Sequence, residues 1–443
     1  TPPVGAIRSG FWTFGAASAM LREPARRRRI TRRTRGPSGA GTRAMQFPTR
    51  YSFLPEYAFP RLRRLLGDTP PGGEPIPMSI GEPQHPVPGF VGPILAGHAA
   101  SLSRYPPNEG IAELREAASD WLGRRYGVPE GYRDPETAIL PLNGTREGLF
   151  SACVALSPEE KAGRTPAVLM PNPFYQCYAV AALTAGAEPV YVPATAETGH
   201  LPDYAALPAA LLDRTTVVYI CAPANPQGAV ADRGYWERLL ALAERHDFRV
   251  FADECYSEIW RERPPTGALE ALAATGGDPE RLVVFHSLSK RSNLAGLRSG
   301  FACTGPANRA AWLQWRSYAG PPLPIPAQHA AAAAWADERH VEANRALYQE
   351  KFALADELLG NLPGYHAPEA GFFLWLEVGD GEAAALRLWR EAGVRALPGA
   401  YLSRPAPDWL DGGDPGAAYL RLALVAPTEE VRRGLAAVAA VLG

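Results

Sequence analysis

The stretch Leu282-Val283-Val284-Phe285-His286-Ser287-Leu288-Ser289-Lys290 is a short β-rich apolar run that ends on two hydroxyls and an amine. Five runs of the same kind precede it, at residues 138–142, 167–170, 189–192, 216–221 and 249–252, and helix-length segments such as 235–245 separate several of them. Strand, helix, strand repetition predicts an α/β domain built on a mainly parallel sheet. Ile111, Leu114, Ala118, Trp121 and Leu122 recur at helical spacing, with Asn108 available as a cap, which predicts an amphipathic helix before the first strand. A long helical pattern over residues 337–359 comes after a Pro-rich stretch and leads out of the sheet domain. The expected organisation is a large domain over residues 85–329 and a smaller one assembled from residues 45–84 and 330–443.

The residues just beyond the strands carry the chemistry. Asn143-Gly144-Thr145 succeeds the first run, Pro171-Asn172-Pro173-Phe174-Tyr175 the second, and Asn225-Pro226-Gln227-Gly228 the run at 216–221. Asp253-Glu254-Cys255-Tyr256 succeeds the run at 249–252, and Ser287-Leu288-Ser289-Lys290 the run at 282–285. In open α/β sheets, ligands bind outside the carboxyl ends of the strands, so five polar clusters at five such ends predict one site.

Composition narrows the function classes. Charged residues are 21% and hydrophobic residues 46% of the 443, ordinary for a globular chain. The uncharged run 319–336 is interrupted by Pro321, Pro322, Pro324, Pro326, Gln328 and His329, so no membrane span is expected. Five widely spaced cysteines without a CxxC argue for a reducing, cytoplasmic setting without disulfides or a zinc site, and no HxxxH pair supplies metal ligands. Residues 1–44 hold ten Arg and one acid, which leaves the rest of the chain net acidic. That segment reads as a basic nucleic-acid-binding arm, as an export or transit signal with residues 11–21 as its apolar core, or as upstream sequence translated from too early a start. The last reading is adopted: Met45 is the expected initiator, residues 1–44 the expected disordered extension, and no nucleic-acid partner is expected.

The chain has three lysines, Lys161, Lys290 and Lys351, against 42 arginines. Where nearly every Lys has become Arg, a remaining Lys points to chemistry that a guanidinium cannot perform, such as a Schiff base. Lys161 and Lys351 read as surface residues. Lys290, after an apolar strand, reads as the reactive amine.

Ser287-Leu288-Ser289-Lys290 with Arg298, Asn225-Pro226-x-Gly228 and Asp253-Glu254-Cys255-Tyr256 resemble the class I/II aminotransferases of pyridoxal phosphate fold type I. Ile80-Gly81-Glu82-Pro83, Tyr105-Pro106-Pro107-Asn108-Glu109-Gly110 and Tyr419-Leu420-Arg421 extend the resemblance over about residues 46–443. It implies a large domain with a mainly parallel seven-stranded sheet between helices, plus a smaller α+β domain. It also implies that Lys290 carries pyridoxal 5'-phosphate and moves the substrate proton, and that Asp253 keeps the pyridine nitrogen protonated. Tyr256 and Asn225 would bond the ring's phenolic oxygen, and Tyr175, with Phe174 as its rival, would lie on the ring face. Gly144, Thr145, Ser287, Ser289 and Arg298 would hold the phosphate. Tyr105 would reach the phosphate of a neighbouring subunit, which implies a homodimer. Arg421, on an expected edge strand, would bind the substrate α-carboxylate with help from Asn225 and the Gly81 backbone. For a distal carboxylate, Arg146 and Arg291 are both open. Gln227 departs from the Thr of many relatives without removing a catalytic group.

More narrowly, Asn143-Gly144-Thr145-Arg146-Glu147 and the segments 171–178, 253–259 and 287–300 resemble N-succinyldiaminopimelate aminotransferases. The substrate pair so implied is N-succinyl-LL-2,6-diaminopimelate with 2-oxoglutarate, giving N-succinyl-2-amino-6-oxopimelate and glutamate. Aminotransferases for aspartate, aromatic or acetylornithine-type substrates share the pattern, as does a C–S lyase. A regulator that senses the cofactor would need a helix-turn-helix, which the first 44 residues lack the periodicity to form.

Overall fold

The computed structural model describes residues 48–443 apart from Phe53, Pro55, Pro321 and Asp411. The expected disordered extension at 1–44 therefore lies outside the described residues. Thr49–Gly443 form one compact unit. Along the chain run strands β1 (Ile76–Pro77), β2 (Ile139–Leu142), β3 (Ala167–Asn172), β4 (Glu188–Pro193), β5 (Thr215–Cys221), β6 (Arg249–Asp253), β7 (Leu282–Ser287) and β8 (Gly300–Thr304). After them come β9 (Phe373–Glu377), β10 (Val394–Arg395), β11 (Leu397–Pro398) and β12 (Tyr419–Ala423).

Seven strands form one sheet in the order β2-β8-β7-β6-β5-β3-β4, parallel except for β8, which is antiparallel to both neighbours. The six runs read from the sequence are β2 to β7 with ends moved by one or two residues. The seventh, β8, begins just after Arg298. All seven residues of β5 are buried, as a strand covered on both faces requires. Val218 and Ile220 enter the core formed with helices Ala112–Tyr126, Arg233–His246 and Ile325–Ala336. Val217 and Tyr219 enter the opposite core, with helices Thr145–Leu156, Gln176–Thr184 and Pro306–Ala319. Alternation along each strand thus feeds two cores, one on each face.

A second, three-stranded antiparallel sheet has the order β11-β12-β9 and shares its own core with helices Arg339–Leu359, Gly381–Ala392 and Thr428–Leu442. β12 is its central strand, not the expected edge, because the two-residue β11 pairs along its outer side. β1 pairs in parallel with β10, which joins the start of the described chain to its C-terminal part.

Three local expectations change. The helix Ala112–Tyr126 is not capped by Asn108; its first residues are held by Gln328, whose Oε1 accepts from Ile111 N at 2.7 Å and whose Nε2 donates to Leu323 O at 2.6 Å. Lys161 is half-buried rather than on the surface, because its Nζ donates to the carbonyl of Thr215, at the start of β5, and to those of His246 and Asp247, at the end of a helix. Lys351 is fully buried, donating to His85 Nε2 at 2.6 Å and Leu424 O at 3.1 Å. No described helix is long and apolar enough to cross a membrane.

Gln328 has no exposed surface and satisfies two backbone groups, one 217 residues away and one five residues away. Gln328→Leu leaves both unpaired, and we expect a loss of about 1–3 kcal/mol, read from the denaturant midpoint at unchanged slope.

Candidate active site

The carboxyl ends of β2, β3, β5, β6 and β7 open onto one cavity of about 330 Å³, within the range of small-molecule sites. Gly81, Thr145, Tyr175, Asn225, Asp253, Tyr256, Ser287, Ser289, Lys290, Arg298 and Arg421 all line it, so residues from the two ends of the described chain meet there.

Each arrives by a simple local device. Asp253 is the last residue of β6, and Lys290 sits on the one-turn helix Leu288–Arg291 that continues β7. The Ser287 hydroxyl caps that turn by accepting from Ser289 N at 3.1 Å. Gly144 precedes the helix Thr145–Leu156 at φ +79°, a left-handed conformation, and a Cβ there would stand 2.4 Å from the Arg298 guanidinium. A helix start with unpaired N–H groups beside an arginine makes an anion cradle.

The electrostatics are those of buried charges in want of partners. Arg421 is 6% exposed; it donates to Asn225 Oδ1 at 3.2 Å and Ser79 O at 2.8 Å, lies 4.2 Å from the Phe373 ring centroid, and leaves its Nε unpaired. Burial lowers it to about 10, and no carboxylate among the described residues pairs with it. Asp253 accepts from Tyr178 Oη at 2.7 Å; burial raises it, and it too has no ion-pair partner among the described residues. The Lys290 amine donates to Gly81 O at 2.6 Å, and burial pushes it down to about 8. Asn225 Nδ2 donates to Tyr256 Oη at 3.3 Å while its Oδ1 serves Arg421, so one amide ties tyrosine to guanidinium. Arg146, at the mouth, bonds the Tyr175 hydroxyl.

Three residues are placed elsewhere. Tyr105 is fully exposed and lines no part of this cavity within its own chain. Gly144 stands behind the wall, shaping it through Arg298. Arg291 is 2% exposed, lies over the Trp121 and Trp335 rings, is paired with Glu338 Oε1 at 2.7 Å and does not line the cavity, whereas Arg146 does. Of the two aromatic rivals both line the cavity, but Phe174 is buried against Tyr191, whereas Tyr175 is only partly buried.

Sequence reasoning missed Tyr178, Ser79 and Cys255. Tyr178 stacks on Tyr219 at 4.3 Å and holds Asp253; its signal was a third aromatic one turn after Tyr175. Cys255 Sγ lies 3.0 Å from Thr145 Oγ1, inside a motif already quoted. Ser79 acts through its carbonyl, which no side-chain pattern announces.

The lowered Lys290 amine is directly measurable in protein free of cofactor. We expect Lys290 to be labelled by trinitrobenzenesulfonate with a midpoint near pH 8, the neutral amine becoming available as pH rises through that value. A midpoint above about 10, as for a solvated lysine, would refute the burial argument.

Comparison with known proteins agrees with this geometry. Residues 75–438 match the family profile described as "Aminotransferase class I and II". An LL-diaminopimelate aminotransferase of Dehalococcoides mccartyi is 32% identical over 405 residues, covering 89% of this chain and 98% of that one. The crystal structure of an aminotransferase from Neisseria meningitidis superposes with a TM-score of 0.84 at 37% identity, over 89% of this chain and all of that one. A probable N-succinyldiaminopimelate aminotransferase from Thermus thermophilus does so with a TM-score of 0.74 at 28% identity, over 86% and 98%.

Proposed function

Because the chain belongs to the class I and II aminotransferases, which use pyridoxal phosphate, we propose that its cavity exchanges the amino group of N-succinyl-LL-2,6-diaminopimelate with 2-oxoglutarate. The carrying observation is a triad with no opposite charge paired to it among the described residues: a partly buried amine with a buried guanidinium and a buried carboxyl in one cavity.

The residues present fit the cofactor. Asp253 is a buried carboxyl without a cation partner among the described residues, suited to a protonated ring nitrogen, which would reverse the upward push of burial on it. The Gly144-Thr145 helix start, Ser287, Ser289 and Arg298 suit a phosphate, and a Cβ at 144 would displace the guanidinium. Tyr256 and Asn225 suit the phenolic oxygen, and Tyr175 the ring face. When bound, the cofactor supplies an aldehyde that takes up the amino group and a pyridinium that withdraws electrons from the bond broken at Cα.

The chain's own residues do the rest. Arg421 receives the substrate α-carboxylate on its free edge, which fixes the Cα. Lys290 Nζ, whose hold on its proton burial weakens, takes the Cα proton and returns it to the carbon that bore the aldehyde oxygen, as base and then acid. Asp253, oriented by Tyr178, would hold the proton on the ring nitrogen. Arg146 at the mouth gives a distal carboxylate its cation, which favours a substrate with acid groups at both ends. The division into a body at 85–329 and a smaller one at 45–84 with 330–443 suits this clamp, since Gly81 and Arg421 come from one and Lys290 and Asp253 from the other. Tyr105, fully exposed here, suits a homodimer in which it serves the neighbouring site. The second reading is unsuccinylated LL-diaminopimelate, favoured by the relative from D. mccartyi.

The test is the visible absorbance of the cofactor-loaded protein. Bleaching by glutamate and by N-succinyl-LL-diaminopimelate, with recovery on 2-oxoglutarate, is the expected result; bleaching by LL-diaminopimelate but not its succinyl derivative would select the second reading. Arg421→Lys should raise KM for every amino donor about tenfold or more, as a bidentate partner becomes a point charge. Arg146→Gln should raise it about tenfold for glutamate and leave it unchanged for alanine, which lacks the distal group.

A further inference from the structure

Segment 79–85 touches both working cations. The Ser79 carbonyl accepts from Arg421 Nη2 at 2.8 Å, and the Gly81 carbonyl accepts from Lys290 Nζ at 2.6 Å. At its far end His85 enters a partly buried chain of hydrogen bonds. His85 Nδ1 lies 2.7 Å from Asn344 Oδ1, and Lys351 Nζ lies 2.6 Å from His85 Nε2. Asn344 Nδ2 donates to the backbone carbonyls of Lys290 at 3.4 Å and Arg291 at 3.3 Å. Lys351 also donates to Leu424 O at 3.1 Å, one residue beyond the strand that carries Arg421.

We propose that Lys351, His85 and Asn344 are positioning residues: their chain clamps segment 79–85 over the cavity and holds the Lys290 amine and the Arg421 guanidinium in register with each other. The chain has one consistent sense, Lys351 donating to the Nε2 lone pair and the Nδ1–H donating to Asn344, which Asn293 Nδ2 also serves at 3.1 Å. It starts and ends on the two cations' own backbone neighbourhoods, so a shift at His85 is felt at both. Lys351 has no exposed surface and no carboxylate partner among the described residues, so a plain packing role would be filled by an apolar side chain of the same length. Its retention as lysine among 42 arginines has the same sense, because a point donor reaches Nε2 and a carbonyl where a planar fork does not fit. The His85 ring packs against Tyr348, with centroids 4.7 Å apart.

The inference rests on the roles given above to Lys290 and Arg421, and its deciding measurement needs no substrate. In cofactor-free protein, Lys290 labelling by trinitrobenzenesulfonate is followed against pH in the wild type, in Lys351→Met and in His85→Phe. The second variant keeps the ring against Tyr348 and guards against a fold lost in the first. We expect both to raise the Lys290 midpoint by about one pH unit, because the loosened segment readmits water to the amine. In the loaded enzymes, KM for amino donors should rise about tenfold. An unchanged midpoint in the folded variants, even with a lowered melting temperature, would reduce the chain to a packing device and overturn the proposal. A wild-type midpoint above about 10 would overturn the Lys290 reading first, and this proposal with it.

Discussion

Three groups without an ion-pair partner among the described residues govern this structure. Arg421 and Asp253 sit where water is largely excluded and Lys290 is partly buried, and each lacks an opposite charge among the described residues. A fold tolerates this only when neutral dipoles cover most of each charge and rigid neighbours prevent collapse onto a wrong partner. Carbonyls of Ser79 and Gly81, the Asn225 amide and the Tyr178 hydroxyl do the first. The second falls to a sheet buried on both faces, whose strands end at the cavity floor.

The same constraint explains why two sheets are needed. The parallel sheet delivers Asp253 and Lys290 from strand ends, but strand ends alone present one side of a cleft. Arg421 comes from the centre of a separate antiparallel sheet, braced on both sides by β9 and β11. Asn225 joins the two, one end of its amide on Tyr256 and the other on Arg421. Positional tolerance in such a site is small, and side chains that never meet the substrate help set it.

Much was legible in the primary structure because the signals were local. Apolar runs with period-two or continuous burial marked the strands, and the polar clusters behind them marked the site, since a chain leaving a buried strand must turn at its carboxyl end. Lys290 stood out because an arginine-rich chain had kept it. The same argument, carried no further than Lys290, left Lys351 on the surface, because its burial comes from His85 and Leu424, 266 and 73 residues away. Asn108 looked like a cap, yet Gln328 satisfies that helix from 217 residues off. Arg146 and Arg291 were equal by spacing; two tryptophans and Glu338 engage Arg291, whereas Arg146 lines the cavity.

The sequence by itself determined six strands of the main sheet, their order and the polar clusters behind five of them, because propensity, periodicity and side-chain chemistry act over a few residues; the roles of the reactive groups came from a family resemblance. Only the tertiary structure decided which cations stay free and which are neutralised, which strand is central, and what holds the amine and the guanidinium in register. Those depend on burial and on hydrogen bonds between residues hundreds of positions apart, and electrostatic strength is set by the local dielectric rather than by the spacing along the chain.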